Sequence, residues 1–246
     1  MSLPTRLMKI CVCILINGFS AQVFANGHNV KLFFEDALPF DGACMALKQH
    51  DDYKITTSMR DELTLRLPEF TKTWEKGGSA LIREMAKLLK HPYGRNEETM
   101  AFTLCQWFSP MSNPLIFRVR EYLKTTGIDN PKGPTEIKPE SYFMGQIFHE
   151  LIHRYLDKHF LNIDQPQNSV LIKSHSEEPP GVLSHLHHLS IQKAVYLKLN
   201  RKGELDKIVE LDSQIRGGTY KRAWEIIGSD GYEKYIDELL KYRSQK

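Results

Sequence analysis

The sequence predicts an α+β protein that is mainly helical, with a small antiparallel sheet beside a histidine-bearing helix and a helical C-terminal part. Three observations support this prediction. Residues 98–107 alternate apolar and polar side chains, and residues 115–123 are rich in β-branched and aromatic ones, as expected for strands. Residues 139–160 show helical spacing around the motif HELIH at positions 149–153. Helical spacing returns at residue 182 and continues to the end of the chain.

The first 25 residues have the pattern of a cleavable secretory leader. Arg6 and Lys9 give a basic start, residues 10–16 are mostly apolar, and small residues stand where a signal peptidase reads. The apolar run is too short for a permanent bilayer-spanning helix. We therefore predict a signal peptide over residues 1–25, one domain over residues 26–246, and export to a periplasm or the medium. A membrane anchor that is never cleaved is the alternative.

The charge and the cysteine content of the chain indicate which kinds of partner and which cellular compartment to expect. The chain has 33 Lys and Arg against 30 Asp and Glu, and the leader takes two of the basic residues with it. This near-neutral balance without basic blocks gives no support for binding to nucleic acid or to an anionic membrane surface. Cys44 and Cys105 would remain after cleavage. One pair in an exported chain predicts one disulfide, with two unpaired thiols as the alternative.

The segment before the sheet is predicted to contain a strand and two helices. Residues 29–35 are predicted as a first strand. Residues 59–74 and 79–90 both show helical spacing. We expect Gly77-Gly78 to divide these two helices and Pro68 to kink or split the first of them.

The motif at positions 149–153 supplies two metal ligands and a base. On a helix turning about 100° per residue, His149 and His153 lie one above the other and can bind the same ion. Glu150 projects beside the metal, where its carboxylate can take a proton from a zinc-bound water. The motif therefore predicts Zn²⁺ and a hydrolytic reaction. An ordinary amphipathic helix with two surface histidines is the alternative.

The next helix, predicted over residues 182–200, carries candidates for the third ligand. A catalytic zinc usually takes three protein ligands and leaves the fourth position for water. We predict His185 as the third ligand because it is the first residue of a polar stripe, with His188 one turn later as the alternative. The stripe consists of His185, His188, Gln192 and Tyr196.

Tyr196 is predicted to donate a hydrogen bond to the oxyanion of the transition state. It lies three turns beyond His185 on the same stripe, where a phenol could reach developing charge. Tyr142 and Tyr220 are the alternatives for this role. The rest of the chain is predicted to be helical, and we assign it no chemistry; its helices are expected over residues 204–215, 219–227 and 232–242.

A small sheet followed by an HExxH helix is typical of zinc peptidases of the zincin type, and residues 98–200 resemble that arrangement. The strands over residues 98–107 and 115–123 are expected to pair as antiparallel neighbours directly upstream of the motif helix. The resemblance implies that the sheet packs beside this helix and that its edge strand holds a peptide or protein substrate in extended form. It implies a clan and no particular family.

Two zincin subgroups suggest other third ligands. His159 occupies the place of the last histidine in the metzincin pattern HExxHxxGxxH, although Leu156 stands where that pattern has glycine. Glu177 and Glu178 have the residue type of the gluzincin ligand, and they lie in a stretch that reads as a loop.

The sequence thus predicts an exported, zinc-dependent metallopeptidase in which Glu150 is the general base. The ligands are His149, His153 and His185, and Tyr196 assists at the oxyanion. The alternative is a secreted helical metal-binding or protein-interaction module without catalytic activity. A structural zinc site is closed by four protein ligands, so that alternative requires a fourth ligand and makes Glu150 idle.

Overall fold

The structure of the protein is a computed structural model that describes residues 30–37, 41–42, 55–105, 110–126, 137–215 and 217–244. The predicted leader, over residues 1–25, and Cys44 lie outside these residues. Cys105 is disulfide-bonded. Its pairing with Cys44 stays a prediction.

The described residues confirm a mainly helical α+β protein with a small sheet. The strands are β1 (Lys31–Asp36), β2 (Glu97–Thr103), β3 (Met111–Ser112) and β4 (Leu115–Arg118). The helices are α1 (Thr57–Leu88), α2 (Glu140–His159), α3 (Val170–Ser174), α4 (Pro180–Lys198), α5 (Lys202–Ser213), α6 (Thr219–Asp230) and α7 (Tyr232–Ser244). None of these helices is both long and apolar enough to cross a membrane.

The four described strands form one mixed sheet in the order β1-β2-β4-β3. β1 is parallel to β2, with Lys31 opposite Glu97, and β2 is parallel to β4, with Ala101 opposite Ile116. The predicted antiparallel pairing of the second and third predicted strands is therefore wrong. The chain returns along the sheet before β4 begins and forms β3 on the way. The antiparallel hairpin consequently lies between β3 and β4.

Residues Thr57–Leu88 form one helix where the sequence predicted two. Pro68 lies inside this helix, and so do Gly77 and Gly78. The glycines make room for neighbours, since a Cβ on Gly78 would collide with the ring of Trp74 and one on Gly77 would lie 3.0 Å from a methionine sulfur of α2. Tertiary packing of a long helix outweighs these local breaking tendencies.

An aromatic cluster fixes α2 against α1 and the sheet. Phe102 of β2 stacks on Phe34 of β1, and Phe70 of α1 stacks on Phe143 of α2, with ring centroids 4.7 Å apart in both pairs. Phe117 of β4 meets Phe143 edge to face at 5.6 Å. Each such pair adds about 0.5–1.5 kcal/mol to the burial of its apolar area. The motif helix therefore has a rigid support on this side.

α2 is the central helix of the fold. It contacts α1, α4, α5 and β3. Arg154 of α2 donates a hydrogen bond to the carbonyl oxygen of Ser112 at 3.0 Å, so the edge strand β3 lies beside the motif helix. α4 packs against α2 and also contacts α6 and α7. The facing sides of α2 and α4 are consequently in the interior, where the site residues lie.

Candidate metal centre

His149 and His153 lie one turn apart on α2, as the sequence predicted, and their ring centroids are 4.9 Å apart. His149 is buried, whereas His153 is partly exposed. Phe148 and Ile152, which flank the histidines on this helix, are both fully buried. Core packing on one side therefore turns the two imidazoles toward α4.

The structure brings His188 of α4 to these two residues. Its ring centroid lies 3.8 Å from that of His149 and 4.1 Å from that of His153. Each of the three residues offers a nitrogen atom within 4.8 Å of the others. This buried group could hold a metal ion. The sequence had placed His185 first and His188 second for this position.

His185 lies next to the three-histidine group, one turn earlier on α4. Its ring centroid is 5.3 Å from that of His149, 5.2 Å from that of His153 and 5.7 Å from that of His188. Its Nδ1–H donates a hydrogen bond to the carbonyl oxygen of Gly181 at 2.6 Å, which leaves the lone pair on Nε2. His185 is therefore a neighbour of the candidate centre, outside the compact group of ligand atoms.

The hydrogen bonding of His188 fits a metal ligand. Its Nε2–H donates to the carbonyl oxygen of His149 at 2.7 Å, so the lone pair is on Nδ1. The Nδ1 atoms of His149 and His188 are buried, and no described residue forms a hydrogen bond with either. A buried polar atom without a partner costs about 1–3 kcal/mol. A bound cation would satisfy the lone pair of His188, and histidines that bind metals commonly donate their other ring N–H to a carbonyl oxygen in this way.

The three histidines are neutral at neutral pH. Burial, and then the charge of a neighbouring histidine, lowers the pKa of His149 and of His188 well below the ordinary value. Burial, and then His185, lowers the pKa of His153 to about 3. Metal binding requires neutral imidazole, so the apolar surroundings keep these residues in the form that binds.

Glu150 lies beside the group and is only 5% exposed. Burial raises the pKa of its carboxyl group to about 8 in the metal-free protein. A neighbouring cation would favour the ionised form, because opposite charges at short range stabilise one another in a buried site. Glu150 is not among the residues whose atoms converge as ligands.

Tyr220, in the first turn of α6, is the phenol that reaches this site. Its hydroxyl is 3.5 Å from Nε2 of His149. Its ring centroid is 4.6 Å from that of His185 and 5.5 Å from that of His149. Burial, and then the charge of Glu150, raises the pKa of Tyr220, so the phenol keeps its proton and can donate it in a hydrogen bond.

The structure does not bring Tyr196 to the histidines. Tyr196 is fully buried, with Phe148 6.3 Å away between ring centroids and the guanidinium group of Arg201 over its ring. Its hydroxyl lies 3.5 Å from the position that a Cβ on Gly145 would take. Tyr142, the other alternative, donates a hydrogen bond to Asp212 instead. Among the three tyrosines considered from the sequence, only Tyr220 contacts the cluster.

The remaining sequence candidates lie elsewhere. His159 packs against His91 with ring centroids 4.1 Å apart. Glu178 pairs with Arg222 at 2.5 Å, and Glu177 is exposed. None of these three candidates belongs to the group of converging ligand atoms found among the described residues.

One residue near the site, Asp212 of α5, was missed from the sequence. Its carboxylate is fully buried and accepts hydrogen bonds from α2 and α6. The sequence could have indicated that Asp212 is buried, because it continues the apolar face of α5 that Leu205 and Ile208 begin. A carboxylate on a buried helix face requires hydrogen-bond donors from other elements, and the sequence does not say which.

The candidate centre is thus built by three helices, with two histidines from α2, one from α4 and a tyrosine from α6. Two hydrogen bonds align α4 with α2, from His188 to the carbonyl oxygen of His149 and from Gln192 to that of Gly145. No protein-family model, curated protein or solved structure matches this chain significantly.

Proposed function

We propose that the protein is an exported zinc-dependent hydrolase, and specifically a peptidase. The observation that carries the proposal is the group of His149, His153 and His188, whose ligand atoms converge within 4.8 Å with Glu150 buried next to them. Three nitrogen ligands and an adjacent carboxylate are typical of a catalytic zinc site. Neutral imidazoles suit zinc among the divalent metals that such a site can take.

A bound zinc ion would supply Lewis-acid chemistry, polarising the substrate carbonyl and making a water molecule more acidic. The side chains do the rest. Glu150 accepts the proton of the attacking water and passes it to the leaving amine. Tyr220 donates a hydrogen bond to the oxygen on which negative charge develops. Tyr220 takes the role that the sequence assigned to Tyr196, because its hydroxyl is at the cluster and that of Tyr196 is not.

The choice of a peptide or protein substrate follows from the sheet. β3 is one of the two edge strands of the described sheet, and Arg154 donates a hydrogen bond to its Ser112 carbonyl oxygen from the motif helix. An exposed strand edge can pair with an extended peptide through backbone hydrogen bonds. The leader pattern supports export to a periplasm or the medium, without a stable membrane anchor after cleavage, and the near-neutral charge argues against nucleic acid as a partner.

The experiment compares purified protein with Glu150→Gln. Zinc content is measured by elemental analysis, and turnover is followed on a mixture of unmodified peptides by mass spectrometry. We expect one equivalent of zinc in both proteins and cleavage only by the parent, because Glu150 is the base and not a ligand. Tyr220→Phe should retain zinc and lower kcat roughly 100- to 1000-fold, as loss of one oxyanion donor does.

Equal cleavage by the parent and Glu150→Gln would remove the general-base mechanism. A parent protein that takes up no zinc from metal-supplemented buffer would remove the metal centre itself.

A second function is favoured by the position of His185. Its imidazole lies within 5.7 Å of all three grouped histidines between ring centroids, so a small shift of α4 would supply a fourth ligand. Four protein ligands would close the site and make a metal-binding module without catalysis. That module requires His185 for metal binding, whereas the peptidase does not. Zinc retained by His185→Ala would favour the peptidase.

A further inference from the structure

Asp212 is a buried carboxylate that joins two site-bearing helices. Its Oδ1 accepts hydrogen bonds from the hydroxyl of Tyr142 at 3.0 Å and from Nε2 of Gln146 at 3.1 Å. Its Oδ2 accepts one from Nε1 of Trp224 at 3.0 Å. Asp212 is 0% exposed, so these donors replace water entirely. Hydrogen bonds to an ionised acceptor are about twice as strong as neutral ones.

The partners of Asp212 lead directly to the metal centre. Gln146 precedes His149 by three residues on α2, and the two side chains share one stripe of that helix. Trp224 follows Tyr220 by four residues on α6, so these two also lie on one face, a turn apart. A rotation of α6 that moved Trp224 away from Asp212 would also move the Tyr220 hydroxyl away from His149.

A glycine makes the approach of α5 possible. A Cβ on Gly145 of α2 would lie 2.6 Å from Cδ1 of Ile208 on α5, closer than real Cβ atoms come to their neighbours. Ile208 is one turn before Asp212, and Gly145 directly precedes Gln146. The backbones of α2 and α5 therefore approach each other closely at the point where the Asp212 carboxylate accepts its hydrogen bonds from α2.

We propose that Asp212 is a positioning residue: by holding Gln146 of α2 and Trp224 of α6 on one carboxylate, it sets the Tyr220 hydroxyl against the metal centre. The inference rests on the proposed metal centre and on the role of Tyr220 there. Apolar burial of α6 is not directional, and it leaves the rotation of the helix about its axis loosely defined. The hydrogen bond from Trp224 is directional and fixes that rotation.

The test uses the Co²⁺-substituted protein and acetohydroxamate, a small chelator with an oxyanion. Co²⁺ reports its coordination through its visible absorption bands, and titration of these bands gives the affinity for the chelator without any substrate. Tyr220→Phe should weaken acetohydroxamate roughly tenfold or more, the worth of one hydrogen bond to a charged group. Trp224→Phe should weaken it roughly threefold or more while Co²⁺ remains bound.

Trp74→Phe is the matched control, because it is the same substitution in a buried tryptophan whose Nε1 has no hydrogen-bond partner among the described residues. It should leave the affinity for acetohydroxamate unchanged. Asp212→Asn is the second variant: its amide replaces one acceptor by a donor, so it cannot satisfy both the α2 donors and Trp224. It should weaken acetohydroxamate in the same direction as Trp224→Phe.

The double variant Trp224→Phe/Tyr220→Phe distinguishes an effect of Trp224 on the position of Tyr220 from a general loss of structure. If Trp224 acts through Tyr220, adding Trp224→Phe to Tyr220→Phe should change the affinity no further. Additive losses, or an unchanged affinity in both Trp224→Phe and Asp212→Asn, would overturn the positioning role. Absence of Co²⁺ bands in the parent protein would instead overturn the metal centre on which the inference rests.

Discussion

His188 donates a hydrogen bond from Nε2 to the main-chain carbonyl oxygen of His149, 2.7 Å away. One turn along both helices, Gln192 makes the equivalent contact with the carbonyl oxygen of Gly145 at 3.3 Å. The two bonds lock α4 onto the backbone of α2. They also fix the tautomer of His188, which places its lone pair on Nδ1. This contact between α4 and α2 thus indicates His188 as the third ligand of the proposed metal centre and Nδ1 as its binding atom.

This contact predicts which histidine the metal requires. His188→Ala should abolish stoichiometric zinc binding, because three ligands become two. His185→Ala should keep it, because its ring lies outside the compact group of ligand atoms. Elemental analysis after gel filtration measures both variants.

His188→Gln serves as the control for folding, since its amide retains a donor for the carbonyl oxygen of His149. It should fold with α4 in place and still lack zinc. Zinc lost from His185→Ala but kept in His188→Gln would reverse the ligand assignment.

The three grouped histidines should make the metal-free protein less stable as the pH falls, and Glu150, whose raised pKa keeps a proton on the folded chain, should offset part of this effect. The pKa values of His149, His153 and His188 are lowered in the folded chain, while in the unfolded chain these residues take up protons near pH 6.5. The unfolded state therefore binds more protons below pH 6.5, and the free energy of unfolding falls as the pH falls. Each histidine contributes at most about 1.4 kcal/mol per pH unit. Urea titrations from pH 7 to pH 5 measure the slope.

His188→Gln should flatten this slope by close to one proton, because it removes one of the three groups. Zinc should raise the free energy of unfolding of the parent without flattening the slope, because the folded histidines are already neutral over this pH range. A slope identical in the parent and in His188→Gln would contradict burial of a neutral His188.

The contact between Gly145 and Ile208 predicts a packing defect and its repair. Gly145→Ala places a methyl group 2.6 Å from Cδ1 and 3.0 Å from Cγ1 of Ile208, and should reduce the free energy of unfolding by about 1–3 kcal/mol. Adding Ile208→Val removes the Cδ1 atom, and the double variant should be more stable than Gly145→Ala alone. Chemical denaturation measures the series.

Gly203→Ala is the matched control, because, beyond its own stretch of helix, no atom of the described residues lies within 4 Å of the position its Cβ would take. It should be neutral or stabilise α5 by up to about 1 kcal/mol. If Gly145→Ala behaved like Gly203→Ala, the close approach of α2 and α5 would be incorrect.

The carboxylate of Glu238 on α7 accepts hydrogen bonds from two other segments, α4 and residues 169–171. It accepts hydrogen bonds from Nε2 of His187 at 2.8 Å, from Oγ of Ser169 at 2.6 Å and from the amides of Val170 and Leu171 at 2.7 and 3.2 Å. Burial alone would raise the pKa of Glu238, but these bonds, that from His187 foremost, lower it to about 2.

Because the pKa of Glu238 is lowered from 4.5 on folding, its contribution is present above pH 4.5 and is lost as the pH falls toward 2. Glu238→Gln should reduce the free energy of unfolding at pH 7 by about 1–3 kcal/mol, and the loss should shrink in acid. Asp237→Asn, an exposed neighbour, should change it by no more than about 0.5 kcal/mol. Equal effects in the two variants would contradict the role of Glu238.

Local pattern was sufficient for much of this protein. Apolar positions at helical spacing predicted α2, α4 and the C-terminal helices, since each of these helices buries one face and the spacing records which one. The motif placed His149 and His153 on one turn for the same reason. Strand pairing was not recoverable, because alternation shows that a segment is extended but not which neighbour it pairs with or in what direction.

The sequence by itself determined that His149 and His153 share one face of a helix with Glu150 next to them, because residues four apart on one helix have their relation fixed by helix geometry. Only the tertiary structure selected His188 over His185, Tyr220 over Tyr196, and Asp212 as a link between helices. Those choices depend on how α4, α5 and α6 rotate and approach α2. Rotation and approach are set by packing between elements distant in the chain, such as the contact of Gly145 with Ile208, and no local spacing encodes them.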